Sequence, residues 1–293
     1  MFYSCFNFDC GWRGVRHMTT RNIAAIDIHA HYGVYKRAGF TDLENQFLTA
    51  DAQCVVDRAR AVNIQWTVAS PLLGLMPRGE ADTCEGNRQA ARIVEMIDGL
   101  YWWVVVNPRQ PDTYQQAERM LKLPKCVGIK LHPEEHIYPI TDYGDELFEF
   151  ASGCHALILA HSGDANSEPC DFVPLANDYP QVSLILAHLG NGGGAQGDPT
   201  KQVAAIQASV HRNIYTDTSS ARSLTPGLIE WAVQEVGSHQ ILFGTDTPLY
   251  FSASQRARID EAKLNNQEKE HLLFRNADRL LELHGTKISP RMG

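Results

Sequence analysis

The chain has 293 residues, 44% of them hydrophobic and 20% charged, and carries a formal charge of −8. That length exceeds a small stapled domain and suits one large barrel or two modest domains. An acidic chain without a basic stripe is a poor partner for nucleic acid or an anionic membrane, and no apolar run approaches the roughly 18 residues a membrane span needs.

The segment from Met1 to His17 has no apolar core followed by a small-residue cleavage site, so no secretory signal is expected. Its aromatic, cysteine-containing composition sets residues 1–20 apart, either as a disordered extension or as an over-called start, since Met18 opens a more ordinary stretch. Cys5, Cys10 and His17 read there as an incidental grouping rather than a metal site. Seven cysteines, odd in number and irregularly spaced, favour a reducing cytoplasm over a disulfide framework.

Along the rest of the chain a short apolar run, a polar loop and an amphipathic stretch recur. Residues 23–28 form the first expected strand. A helix is expected over residues 49–62, with Val55, Val56, Ala59 and Val62 on one face and Asp51 in its first turn. After a strand at 65–69, a helix over 82–98 carries Ala90, Ile93, Val94 and Ile97. Strands at 102–106, 127–131, 156–160 and 182–187 follow. Asp198-Pro199 opens another helix, and strands at 213–216 and 240–243 complete the set. Asn265 with Glu268 forms a capping box for a helix near 270–275, and Asn276 is expected to cap the last helix, 277–283.

The strand runs lack strict alternation, as strands buried on both faces of a parallel sheet do. Eight of them alternating with helices indicate a single (β/α)₈ TIM barrel over residues 21–293. The alternative, an open doubly wound sheet, usually carries a Gly-rich phosphate loop after its first strand. Here that strand ends in His29-Ala30-His31. Loops 32–48, 71–81 and 132–144 are long enough to cover a site, and Tyr32, Trp102 and Trp103 either line it or pack the core.

The chemistry gathers at the C-terminal ends of the strands, where this fold places active sites. His29 and His31, two residues apart on a strand, face the same side. The fifth strand ends in His161, the sixth in His188, and the eighth in Phe243-Gly244-Thr245-Asp246. Barrel closure brings the first strand beside the eighth. Three imidazoles and one carboxylate with an open position suit Zn²⁺, or Mn²⁺, Fe²⁺ or Co²⁺. Arg222, after the seventh strand, is a candidate clamp for a substrate carboxylate. Lys36, Arg37 and Arg78 read as solvated charges, and the His132-to-His136 segment as a solvated loop. Asn191-Gly192-Gly193-Gly194 is either a place of close backbone approach to a ligand or a flexible turn.

Together, His29-Ala-His31, Gly-Ile-Lys130-Leu-His132-Pro, Ala-His161-Ser-Gly, Ala-His188-Leu-Gly and Phe-Gly-Thr-Asp246-Thr-Pro resemble the amidohydrolase superfamily. Within it they resemble the branch of aminocarboxymuconate-semialdehyde decarboxylase and γ-resorcylate decarboxylase. The closing Arg275-Asn276-Ala277-Asp278-Arg279-Leu280 is similar to that branch's C-terminal helix, and the resemblance runs from about residue 23 to 283.

The resemblance implies one catalytic ion on His29, His31, His161 and Asp246. It implies that His188 is an acid–base group, a residue behind the ligands, or a ligand to a second ion. Lys130 stands where binuclear members carry a carboxylated lysine. In this branch it is often unmodified, leaving a salt bridge inside the barrel or a substrate contact. A homodimer or tetramer is implied as well. The first functional expectation is hydrolysis of a small ester, amide or lactone by metal-activated water, with Asp246 as proton carrier. The second is non-oxidative decarboxylation of an aromatic or unsaturated acid, with His188 or Asp246 delivering a proton to carbon. A non-catalytic small-molecule binder is the third. The ligands alone do not choose among them.

Overall fold

Runs of Ile, Val and Leu favour pleated backbone covered on both faces. In the computed structural model, which describes residues 22–288, they form eight strands. These are β1 (Ala25–Tyr32), β2 (Ile64–Pro71), β3 (Leu100–Val105), β4 (Cys126–Leu131), β5 (Ile158–Ala160), β6 (Leu184–Leu186), β7 (Ile214–Asp217) and β8 (Ile241–Leu242). Each is parallel to the next in a single sheet ordered β1 to β8. Ile28 N donates to Phe243 O (3.0 Å), Asp246 N to His29 O (2.7 Å) and His31 N to Thr247 O (2.7 Å), which ties β8 and the turn after it back to β1. The expected barrel is present. The expected extension at residues 1–20, with Cys5, Cys10 and His17, lies outside the described residues.

Two apolar clusters hold the fold. One fills the space between strands and outer helices and includes Val55, Val94, Phe148, Phe172 and Ile229. The other fills the barrel with Ile26, Ile28, Trp103, Leu159, Ile185 and Leu242, and Leu280 and Leu281 of the last helix join it. Each such side chain removed from water contributes about 1.5–3 kcal/mol. Trp102 packs in the outer cluster. Trp103 lies inside, its Nε1 donating to Ile28 O at 2.9 Å. Tyr32 is buried too, so all three aromatics are core.

The helix signals hold where a cap fixed them. Asp51 accepts from Cys54 N (2.7 Å) at the start of Ala52–Arg60. Asp82 accepts from Glu85 N (2.9 Å) at the start of Thr83–Met96. The Asn265–Glu268 capping box opens Asn266–Glu270. Asn276 is a correction. The backbone runs without a break through a π-turn, His271–Arg275, into Asn276–Leu283, so there is no free helix end to cap. The Asn276 amide instead donates to Ser238 O and Ile241 O, both at 2.7 Å, and anchors the last helix to the base of β8. No described helix is long and apolar enough to cross a membrane.

Candidate metal centre

The centre begins with an irregularity in β1. Pairing with β2 slips by one residue between Asp27 and Ala30. Ile26 and Ile28 point into the barrel, and strict alternation would then turn His29 and His31 outward. The extra residue reverses the parity, which is what a bulge does. It also frees the His29 N–H, and Asp27 Oδ1 accepts it at 3.1 Å. Asp27 further accepts from Thr245 N (3.0 Å) and Thr245 Oγ1 (2.6 Å), so one buried carboxyl fastens β1 to the segment that carries Asp246. Burial pushes that carboxyl up to about 8, against the hydrogen bonds it accepts.

His29 Nδ1 lies 2.9 Å from Asp217 Oδ2, and His31 Nδ1 lies 3.3 Å from Ser70 O. Both partners are acceptors, so each Nδ1 carries the proton and each Nε2 presents a lone pair. Those two Nε2 atoms face each other at 3.3 Å. Asp246 Oδ1 stands 3.1 Å from His31 Nε2 and 3.7 Å from His29 Nε2. Burial, then the Lys130 ammonium, holds the His29 imidazole well below its ordinary range, which keeps the ring neutral and its Nε2 unprotonated. Two neutral imidazole lone pairs and a carboxylate converging in a buried spot form a donor set for a divalent ion.

Asp246 has a left-handed backbone, φ 55°, as has His188, φ 75°. Asp tolerates that region better than most residues. Beside Asp246, a Cβ on Gly244 would lie 3.1 Å from His29 Cβ and 3.2 Å from both Asp217 Cγ and Ser219 Cβ. A side chain there would press three site groups apart by a few tenths of an ångström.

His29, His188 and Asp217 make a second close group among the described residues. Asp217 already spends its oxygens on hydrogen bonds. Oδ1 accepts from His188 N (3.0 Å), Ser219 N (3.0 Å) and Ser219 Oγ, and Oδ2 from His29 Nδ1. This carboxylate orients imidazoles rather than binding an ion. Ser219 Oγ also reaches His188 Nδ1 at 2.8 Å. The sequence reading passed over Asp217 and Ser219. Their i, i+2 spacing at the end of β7 was the available signal, the same one that marked His29 and His31.

His161 does not enter the close group of His29, His31 and Asp246. Its Nδ1 faces His188 Nε2 at 3.1 Å, its Nε2 lies 2.7 Å from Asp164 Oδ2, and its ring stacks on His132 at 4.2 Å. Burial, then the neighbouring His161, lowers the pKa of both His188 and His132 well below the usual value. Lys130 is fully buried, with Nζ 2.9 Å from His29 Nε2. Burial brings its ammonium down to about 8, against the pull of Asp246 and Asp217.

A cavity of ≈ 530 Å³ opens over His31, His161, His188 and Asp246. All three long loops reach it, with Tyr35 and Phe40 from the first, Leu75 and Arg78 from the second, and His132 and Glu135 from the third. Two expectations change here. Arg222 is exposed on a short turn, Ala221–Leu224, and does not line the cavity, and Lys130 lies beneath the ligands rather than in its wall. The cations that do line it are Arg37 and Arg78, which meet Glu135 Oε1 at 2.5 and 2.9 Å. Glu135, 3% exposed, converts the supposed solvated loop into the anchor of two guanidinium groups.

A closed parallel barrel with a buried divalent-ion donor set at the C-terminal ends of its strands defines a metal-dependent barrel enzyme. The sequence profile of the amidohydrolase family matches residues 26–283, and the chain belongs to that family. No curated protein matches the chain at the sequence level. Among solved structures it resembles 2,6-dihydroxybenzoate decarboxylase from Rhizobium, with TM-score 0.70, 13% identity, and coverage of 89% of this chain and 99% of that one. It also resembles 5-carboxyvanillate decarboxylase from Sphingomonas paucimobilis, with TM-score 0.64, 14% identity and coverage of 89% and 99%. A third is dihydroxybenzoic acid decarboxylase from Polaromonas sp. JS666, with bound manganese and the inhibitor 2-nitroresorcinol, at TM-score 0.66, 14% identity and coverage of 90% and 98%. At these identities the likeness establishes the fold.

Proposed function

We propose that this protein is a divalent-metal-dependent decarboxylase that releases CO₂, without an oxidant, from a small aromatic or unsaturated carboxylic acid. The observation that carries this is the cavity. Its volume lies in the range of small-molecule sites, and its lining brings together His31 and Asp246 of the ion's donor set, His188, Arg37 and Arg78. The fold neighbours, decarboxylases of 2,6-dihydroxybenzoate and 5-carboxyvanillate, support the same reading. It reverses the order of the two sequence expectations, since hydrolysis is supported by family membership alone.

His29, His31 and Asp246 would hold the ion, with His161 as the further ligand that the resemblance implies. The bound ion supplies a positive charge that draws a substrate oxygen and stabilises the negative charge developing on it. Arg37 and Arg78 attract the anionic substrate and, held by Glu135, fix its orientation. The ring-to-carboxylate bond breaks, its electron pair stays on the ring carbon, and that carbon takes a solvent proton relayed by His188, whose ring is neutral at rest, as CO₂ leaves. Ser219 and Asp217 hold the His188 ring while solvent restores the proton. Zn²⁺, the first choice on sequence, has no specific support, whereas manganese is bound in the Polaromonas neighbour. Both ions belong in the assay.

The test is CO₂ release from a panel of hydroxybenzoates by protein loaded with Mn²⁺ or Zn²⁺. Release that requires the metal and proceeds without O₂ supports the proposal. Hydrolysis of esters or lactones with no CO₂ from any acid overturns it.

A further inference from the structure

The loop after β5 and the loop after β6 press together with almost no side chain between them. A Cβ on Gly193 would lie 2.3 Å from Asp164 Oδ1, and one on Gly163 would lie 2.2 Å from Asn191 O. Gly194 N donates to Gly163 O at 2.8 Å. Asn191 Nδ2 donates to Ser162 O at 2.9 Å and approaches Asp164 Oδ2 at 3.5 Å. The glycine run is thus packed against the loop after β5. Within it, Gly193 leaves room for the Asp164 carboxylate, while Gly192 and Gly194 make way for Asp198 and Glu168.

The near partner of that carboxylate is His161, with Asn191 Nδ2 farther off. His161 Nε2 lies 2.7 Å from Asp164 Oδ2. Since the carboxylate only accepts, Nε2 carries the proton and Nδ1 presents its lone pair. Nδ1 is the atom turned toward His188, whose ring in turn lies 4.9 Å from that of His29. With Nε2 free instead, the ring would have no fixed tautomer and two ways to face the site.

We propose that Asp164 is the positioning residue of His161, fixing its Nδ1 lone pair toward the ion, and that Gly193 is glycine because any side chain there would displace that carboxylate. This rests on the reading of His161 as a metal ligand and deepens it, since it names the ligating atom and what aims it. It parallels Asp217, which aims His29 from the other side of the site.

The test measures metal affinity by chelator competition, and coordination by the visible absorption of Co²⁺-loaded protein. The variants are Asp164→Ala, Asp164→Asn, Gly193→Ala and His161→Ala. Gly153→Ala, with nothing within 4 Å of the added Cβ, is the control. Loss of a partner behind a metal-bound imidazole costs about 10–100-fold in affinity. Asp164→Ala and Gly193→Ala should fall in that range with a shifted Co²⁺ band, while Asp164→Asn, which keeps an acceptor, recovers part of the loss. Gly153→Ala should be unchanged, and His161→Ala sets the maximum effect. Unchanged affinity and spectrum in both Asp164→Ala and Gly193→Ala overturn the proposal, as does full affinity in His161→Ala. Should Asp164→Ala fail to fold, Gly193→Ala and Asp164→Asn carry the decision. Neither readout depends on turnover, so a wild-type protein that binds metal but releases no CO₂ would sink the decarboxylase reading and leave this one standing.

Discussion

Asp217 accepts four hydrogen bonds, and through them it sets the tautomer of His29 and the placement of His188. Asp217→Asn replaces acceptor capacity with an amide that must donate from one end. The account expects metal affinity to drop by about 10–100-fold, read by chelator competition, with the fold intact by circular dichroism. His188 stands differently. Its Nε2 faces His161 Nδ1 and its ring centroid lies 4.9 Å from that of His29, but it stands outside the group of His29, His31 and Asp246 and lines the cavity. His188→Asn should therefore keep its metal, as elemental analysis will show, while kcat for CO₂ release falls by about 10²–10⁴-fold. A variant that lost its metal together with its activity would make His188 a ligand instead.

The strands were legible because each is a short apolar run whose end carries a polar group, and burial on both faces leaves few alternatives. Helices with an Asp or Asn cap were legible for the same local reason. What escaped were features fixed by contact across the barrel. Nothing in Asp27-Ile28-His29-Ala30-His31 announces a bulge, because its cause lies in pairing with β2 and in Thr245. Glu135 looked solvated because Arg37 and Arg78 are distant in sequence and meet it only once three loops fold over the cavity. Asn276 was misread because capping assumes a helix end, and the π-turn removes it. Its real task gives a prediction at this scale. Asn276→Ala strips the partner from two carbonyls at the base of β8, which costs about 1–3 kcal/mol for each group left unsatisfied. Thermal denaturation should show a clear loss of stability with metal content unchanged. A variant as stable as the parent would remove Asn276 from the frame.

Taken whole, the molecule concentrates its titrating groups at one end of the barrel, and the Arg37–Glu135–Arg78 trio binds three loops together there. Burial raises the Glu135 pKa, but bonding to Arg78 and Arg37 outweighs it and holds the carboxyl below its ordinary value. A group depressed on folding contributes stability above its unfolded pKa and loses it as pH falls through the folded one. Glu135→Gln should thus be less stable than the parent near pH 7, by about 1 kcal/mol given the exposure of both guanidinium groups. That difference should vanish in acid, below the ordinary carboxylate range. Urea denaturation at the two pH values checks it, and a gap that persisted in acid would mean the glutamate acts by packing instead.

Catalysis by this site requires that His29, His31 and Asp246 hold a divalent ion. Elemental mass spectrometry measures it directly, on tag-free protein purified without chelator beside a His29→Ala/His31→Ala variant. The account predicts about one transition-metal ion per chain in the parent and none in the variant. A parent that binds no metal even after reconstitution, or a variant that keeps its ion, would contradict it.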